Sequence, residues 1–314
     1  MSTTIAVSTA AASSRGPFRL AVAMLIVTTI TILKGALTTS TGSGMAYPDW
    51  PLSDGQVMPE SSYTTLPGFF EHFHRLAASS AGLMALALAL WLHFGRIGQA
   101  LVRRTAWCGG CLILLQGVVG GTGVLNNLPA VTSVTHGTLA QLTLATFAWI
   151  AYQLSDRYHA TVPLATVAPG TGRKLMLFAL GMLVAQTVLG AVARHTNSPH
   201  AMWTHVGNAF VVFVIATIAT AFAVGRLGAV PGIPVLTRWI VGLMMGQIAL
   251  GFVVLAVRNP AGKTPDNVQH LGPAAVISMH VVIGALLTVL VATLAAHVYR
   301  ATRLPDPSPA RELE

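Results

Sequence analysis

The sequence predicts an all-α integral membrane protein of eight transmembrane helices, arranged as two pseudo-symmetric four-helix bundles. Three observations point there. Of 314 residues, 54% are apolar and only 9% charged, against roughly 25% charged in an ordinary soluble domain. The apolar residues come in long blocks, none with the alternation of a barrel strand. A short Gln-x-x-x-Gly pattern also recurs at hairpin intervals, the mark of repeated units. The net charge of +9 does not indicate nucleic acid, because the basic residues form no run and lie between the apolar blocks.

Residues 1–17, rich in Ser, Thr and Ala and ending in Gly16-Pro17, read as a disordered cytoplasmic tail. Eight apolar blocks follow, roughly Phe18–Thr38, Phe69–Phe94, Thr105–Leu125, Val131–Leu154, Leu175–Ala193, Trp203–Gly225, Val235–Val257 and Ala274–His297. Each holds the ~20 residues that a helix needs to cross about 30 Å of hydrocarbon. Thirteen of the 18 Lys and Arg fall in the tail, the even-numbered connections and the C-terminus, and only Arg194, Arg258 and Lys263 in the odd-numbered ones. The positive-inside rule then places both termini in the cytoplasm, with the protein in the cell's inner membrane. The first outward connection, Thr39–Gly68, is the longest and contains Pro48-Asp49-Trp50-Pro51. A loop of that length in a compact membrane protein is usually functional, for example as a lid.

Leu115-Gln116-Gly117-Val118-Val119-Gly120 recurs as Ala185-Gln186-Thr187-Val188-Leu189-Gly190 and as Gly246-Gln247-Ile248-Ala249-Leu250-Gly251. One connection after each comes a histidine: His136, His205 and His280. The first hairpin fits loosely, with Lys34-Gly35-Ala36-Leu37-Thr38 in the glutamine slot and His74 following. The chain therefore divides into halves, 18–165 and 166–314, each supplying two histidines at one depth near the outer face. Two imidazoles without further Cys or carboxylate ligands do not close a zinc site. Two that face each other across a bundle core suit the axial positions of a haem. Gly137, Gly207 and Gly284 lie beside the ligands and leave room for a flat macrocycle, while Thr135, Thr204 and Ser278 are placed to support imidazoles or propionates. Cys108 and Cys111 share a C-x-x-C spacing at the inner end of the third block and read as helix packing residues.

The halves differ at the second block. Glu71-His72-Phe73-His74-Arg75 puts a carboxylate, an imidazole and a guanidinium on one helical face, whereas Met202 and Ile277 precede His205 and His280 by one turn. A haem site without an acid reads as electron transfer, and one with a buried carboxylate as a place for proton chemistry. His72 points off that face, and His93, His159 and His297 are placed at inner ends where imidazoles reach water. A quinol-linked b-type cytochrome is the main alternative, although four histidines at one level argue against electron transfer across the membrane.

Thr41-Gly42-Ser43-Gly44, Pro48-Asp49-Trp50-Pro51, Glu71-x-x-His74-Arg75 and the three later histidines together resemble the haem A synthase family, over almost the whole chain. That resemblance implies oxidation of the C8 methyl group of haem O to a formyl group, giving haem A for terminal oxidases. It implies His74 and His136 around the substrate haem with Arg75 nearby, His205 and His280 on a haem b cofactor, and Glu71 as the catalytic acid. The implied partners are a haem O synthase and terminal oxidase assembly factors in the lipid bilayer, with a homo-oligomer left open. Many bacterial members carry a cysteine pair in outer connections, and this sequence has none there.

Overall fold

The computed structural model describes residues 2–164, 169–258 and 270–302. Ten helices form it: α1 Ser2–Ser40, α2 Ser61–Thr64, α3 Leu66–Phe94, α4 Ala100–Leu125, α5 Ala130–Leu154, α6 Asp156–Ala160, α7 Pro169–Thr196, α8 Pro199–Leu227, α9 Ile233–Val257 and α10 Leu271–Ala301. No strand occurs among the described residues. Residues upstream of Arg15, read in the sequence as a tail, form the start of α1, with Pro17 inside it. Polar side chains set several helix starts. Thr65 accepts from Gly68 N at the head of α3 and Ser198 from Ala201 N at the head of α8, each followed by a proline in the first turn. At the head of α9, Gly232 has φ 100° and the Arg157 guanidinium lies where a Cβ would sit, so glycine is required twice over.

Seven helices are long and apolar enough to cross a membrane: α1 from Arg15, α3, α4, α7, α8, α9 and α10. The eighth expected span, α5, matches them in length but carries Thr, Ser, His and Gln throughout. It tolerates them in two ways. Thr135, Thr138, Thr143 and Thr146 turn their hydroxyls back to carbonyls one turn earlier, at 2.8–2.9 Å. In addition, α5 packs against α1, α4, α7 and α10, so protein rather than lipid covers much of it.

α1, α3, α4 and α5 pack in a ring around a core from Met24 to Leu154, and α7, α8, α9 and α10 around another from Met176 to Ala301. Ile32, Leu144 and Ala285 join the two. Alanines such as Ala81, Ala85, Ala89, Ala216, Ala219 and Ala223 are buried, letting backbones approach, while Leu83, Leu114, Ile218 and Phe252 face outward. Polar clasps tie the rings at both ends. Near the C-terminal ends of α1 and α7, Arg194 Nη2 donates to Ala36 O and Ser40 Oγ, both at 2.8 Å, so this arginine is a helix-end clamp rather than a connection residue. At the opposite end His297 is fully buried, not water-facing as its position in the sequence implied. Its Nε2 donates to Pro231 O at 3.1 Å, leaving Nδ1 to accept from Tyr152 Oη at 2.5 Å.

Candidate functional site

The four repeated histidines come together in two pairs. The rings of His74 and His136 lie 6.2 Å apart between centroids, those of His205 and His280 6.4 Å, and both pairs are crossed at 78°. Within each ring of helices, one member of the pair comes from α3 or α8 and the other from α5 or α10.

The repeat explains how each imidazole is aimed. His136 Nδ1 donates to Gln116 O at 3.2 Å, and the Gln116 amide donates back to His136 O at 2.8 Å. His205 and Gln186 repeat this exchange at 3.2 and 2.9 Å. A glycine one turn further on seats the ring. A Cβ on Gly120 would lie 2.9 Å from His136 Cε1, and one on Gly190 2.8 Å from His205 Cε1. In the first hairpin Gly35 fills that place, with its would-be Cβ 2.7 Å from His74 Cε1, and Thr31 O accepts from His74 Nδ1 at 3.0 Å. The glutamine slot is thus Thr31, one turn before Gly35, and not Lys34 as the sequence match suggested. Lys34 instead lies over the Phe69 ring, 4.1 Å from its centroid.

A carbonyl can only accept, so these three histidines carry their proton on Nδ1 and keep the Nε2 lone pair bare. His280 differs. Its Nδ1 is buried with no partner among the described residues, its Nε2 lies 3.3 Å from the Gln247 amide nitrogen, and that amide donates to His280 O at 2.9 Å.

This donor set fits a haem. Two imidazole–metal bonds of about 2 Å each, with roughly 1 Å from each nitrogen to its ring centre, require centroids about 6 Å apart, as both pairs show. Among the described residues there is no group of three or more His, Cys, Asp or Glu able to hold a bare ion. A metal held by only two imidazoles needs equatorial ligands of its own, which a porphyrin supplies. The small residues nearest the ligands contribute unevenly. A Cβ on Gly137 or Gly207 would meet nothing within 4 Å, whereas one on Gly284 would press on Gln247. Thr135 and Thr204 bond their own helices, and Ser278 is buried without a partner among the described residues, so none of the three bonds an imidazole there.

Among the described residues, only the first pair is capped. Arg75 pairs with Glu71 Oε1 and also donates to Tyr47 O at 2.9 Å, Asp49 O at 2.8 Å and Leu52 O at 2.6 Å. Glu71 Oε2 accepts from Tyr47 N at 3.0 Å. His72, expected to be uninvolved, bonds Ser53 Oγ at 3.0 Å and approaches Met58 Sδ at 3.2 Å. Tyr47 is buried and reaches Ser61 Oγ, and the Trp50 indole packs on Gly121 of α4 where any side chain would collide. The Glu71–Arg75 turn of α3 therefore acts as the post to which the first outer loop is tied. Outside the membrane, partial burial alone would raise the Asp49 carboxyl. The Gly55 and Asp54 N–H groups and the nearby Arg75 charge overrule burial and hold it below the usual carboxylate range. In the second half α7 and α8 are joined by two residues, Asn197 and Ser198.

Residues 18–207, more than half of the chain, match the model of the COX15-CtaA family, described as cytochrome oxidase assembly protein. The chain belongs to this family. Among curated proteins, it is 29% identical over 192 residues to a protein named "Heme A synthase" from Bacillus licheniformis, covering 55% of this chain and 58% of that one. Another of that name, from Symbiobacterium thermophilum, is 25% identical over 248 residues, covering 71% of this chain and 80% of its own length. One from Ruegeria pomeroyi is 30% identical over 162 residues, covering 49% and 40% respectively. The family match includes Glu71, His74, Arg75, His136 and His205, and ends before His280.

Proposed function

We propose that the chain is a haem A synthase of the inner membrane, with eight spanning helices in two pseudo-symmetric bundles, 18–165 and 166–314, and both termini cytoplasmic. The observation that carries this reading is two matched histidine pairs, of which only one, among the described residues, lies beneath a carboxylate and an anchored loop. The relatives named "Heme A synthase" support the same reaction.

In this reading haem O is the substrate, held between His74 and His136, and its C8 methyl group is oxidised to a formyl group with the oxygen taken from water, a change that releases four protons and passes four electrons to an external electron acceptor. His205 and His280 would hold a haem b, which would supply electron transfer toward that acceptor. The chain's own residues do the rest. The Nδ1 protons given to Thr31 O, Gln116 O and Gln186 O direct bare Nε2 lone pairs into the bundles. Glu71 accepts a proton released as the methyl group is oxidised. Each of its oxygens has a second lone pair beyond the bond to Tyr47 N or Arg75. Arg75, with acceptors on both terminal nitrogens, acts through Glu71 and the loop rather than on a propionate. The loop tied down by Tyr47, Trp50 and Ser53 excludes water from the outer side of the substrate pair.

The test is expression beside a source of haem O, followed by extraction and separation of the haems in the purified protein. Haem A together with haem b is the expected result. Haem b alone, with haem O untouched, would turn the assignment to an electron-carrying b-type cytochrome.

A further inference from the structure

Arg194 has more donors than its clamp uses. Nη2 donates to Ala36 O and to Ser40 Oγ of α1, both at 2.8 Å. Nε and Nη1 carry the other N–H groups of the guanidinium, and among the described residues nothing accepts from them. Neither atom is enclosed, so a ligand can reach both. The one ion pair among the described residues joins Glu71 and Arg75, which leaves Arg194 without a carboxylate there.

Its position ties it to the first histidine pair. Arg194 belongs to the second half, yet its guanidinium is bound to α1 of the first. Ala36, which it holds, follows Gly35, the glycine that seats the His74 ring. His195, the next residue, is near enough to His136 for a charge on one ring to act on the other. The ring nitrogens of His195 also bond no described residue and are not enclosed. Open nitrogens of two consecutive residues therefore stand beside the His74–His136 pair.

The repeat shows that the cation is an addition. One turn past the seating glycines Gly35, Gly120, Gly190 and Gly251 come Thr39, Val124, Arg194 and Leu255. A cation among apolar helices is costly unless opposite charge meets it. The last carbonyls of α1 meet part of this one, and the open N–H groups remain. A haem brings two carboxylates as its propionates, and a guanidinium fork suits a carboxylate. Arg75 is committed to Glu71 and the loop carbonyls. We propose, on the haem reading of the first pair, that Arg194 Nε and Nη1 hold a propionate of the haem bound between His74 and His136. The second half then supplies part of the first half's site. The C8 methyl group shares its pyrrole ring with one propionate, so this contact also orients the methyl group.

Full-length protein purified with haem b from cells lacking haem O tests this by anaerobic titration with haem O and with its dimethyl ester, which has no carboxylate. The parent should bind the diacid about 10-fold tighter than the ester, the scale of a charge-assisted hydrogen bond. His74→Ala should take up neither. In Arg194→Gln the preference should fall to about two-fold or less with haem b retained, and in Arg194→Lys to about three-fold, since an ammonium lacks the fork. A full preference in either variant, or equal weakening of diacid and ester, would overturn the contact and leave a clamp alone. Loss of haem b with the haem O preference intact would overturn it in favour of the second pair. No uptake of either form by the parent would overturn the haem reading of the first pair, and the contact with it.

Discussion

The His74–His136 and His205–His280 pairs have ring separations of 6.2 and 6.4 Å and the same crossing angle of 78°. Above the first, Glu71 and Arg75 bind Tyr47, Asp49 and Leu52 of a long outer loop. Above the second, Met202 stands one turn before the ligand and two residues join α7 to α8. In the proposed reading the repeat supplies the ligand geometry, and the acid and loop added to the first pair supply the chemistry, so that one copy is reactive and the other a relay.

The largest effect should come from removing the feature that has no counterpart. Glu71→Ala should lower haem A formation by about 10²- to 10⁴-fold, the usual range for a lost acid–base group, while leaving the haem b content of the second half intact. Haem extraction from the variant checks both at once, and wild-type haem A would remove Glu71 from the chemistry.

The next effect probes what the halves share. Gly190→Ala places a Cβ 2.8 Å from His205 Cε1, and Gly35→Ala places one 2.7 Å from His74 Cε1. A contact that close displaces the imidazole. Gly190→Ala should therefore empty the second site, seen as loss of haem b from the absorption spectrum. Gly35→Ala should keep haem b and lose substrate retention. Equal haem loss in both variants would show that the two sites do not load independently.

A smaller effect is expected from the glutamines. Gln186→Leu removes the amide that donates to His205 O and accepts from Asn208 at 2.8 Å, while Gln186 O stays to hold the imidazole. Haem affinity at the second site should fall about 10-fold, the low end for lost outer partners of a metal ligand. Haem titration of the stripped protein measures it, and unchanged affinity would make the glutamine a packing residue.

Much of this was legible in the residues. Spacing along one helix exposes the face shared by Glu71, His74 and Arg75, and self-similarity exposes the four histidines. What escaped is pairing between helices. Nothing in the periodicity of α3 says that His72 bonds Ser53, or that Gly35 on α1 seats His74. The Lys34 match failed for the same reason, since it followed the residues beside Gly35, whereas what the slot supplies is a backbone carbonyl that Thr31 provides as well as glutamine does. The composition of α5 also carries two signals at once. Its hydroxyls lower its hydropathy, and only its neighbours reveal how a helix of that length holds them.

The smallest effect concerns the cap alone. Asp49 accepts from Asp54 N at 2.9 Å and Gly55 N at 2.8 Å, folding the tip of the loop that Arg75 holds from below. These donors keep the Asp49 carboxyl below its usual range despite partial burial, which acts the other way. Its contribution to loop order is therefore complete above the unfolded value near pH 4 and is lost only as pH falls through the lower folded value. Proteolytic clipping between Tyr47 and Glu60 should be flat from pH 8 to about pH 5 and rise in more acid solution. Asn at position 49 keeps an acceptor but not the charge, so Asp49→Asn should increase clipping at pH 7 by about two-fold at most, because solvent screens so exposed a group. In the proposed reading the haem b absorption of the second half should not respond at any pH in that range, since Asp49 and its loop belong to the first half. Parallel changes in clipping and in haem b absorption would show that the cap and the second site are coupled and that the two halves are not separable in the way their geometry implies.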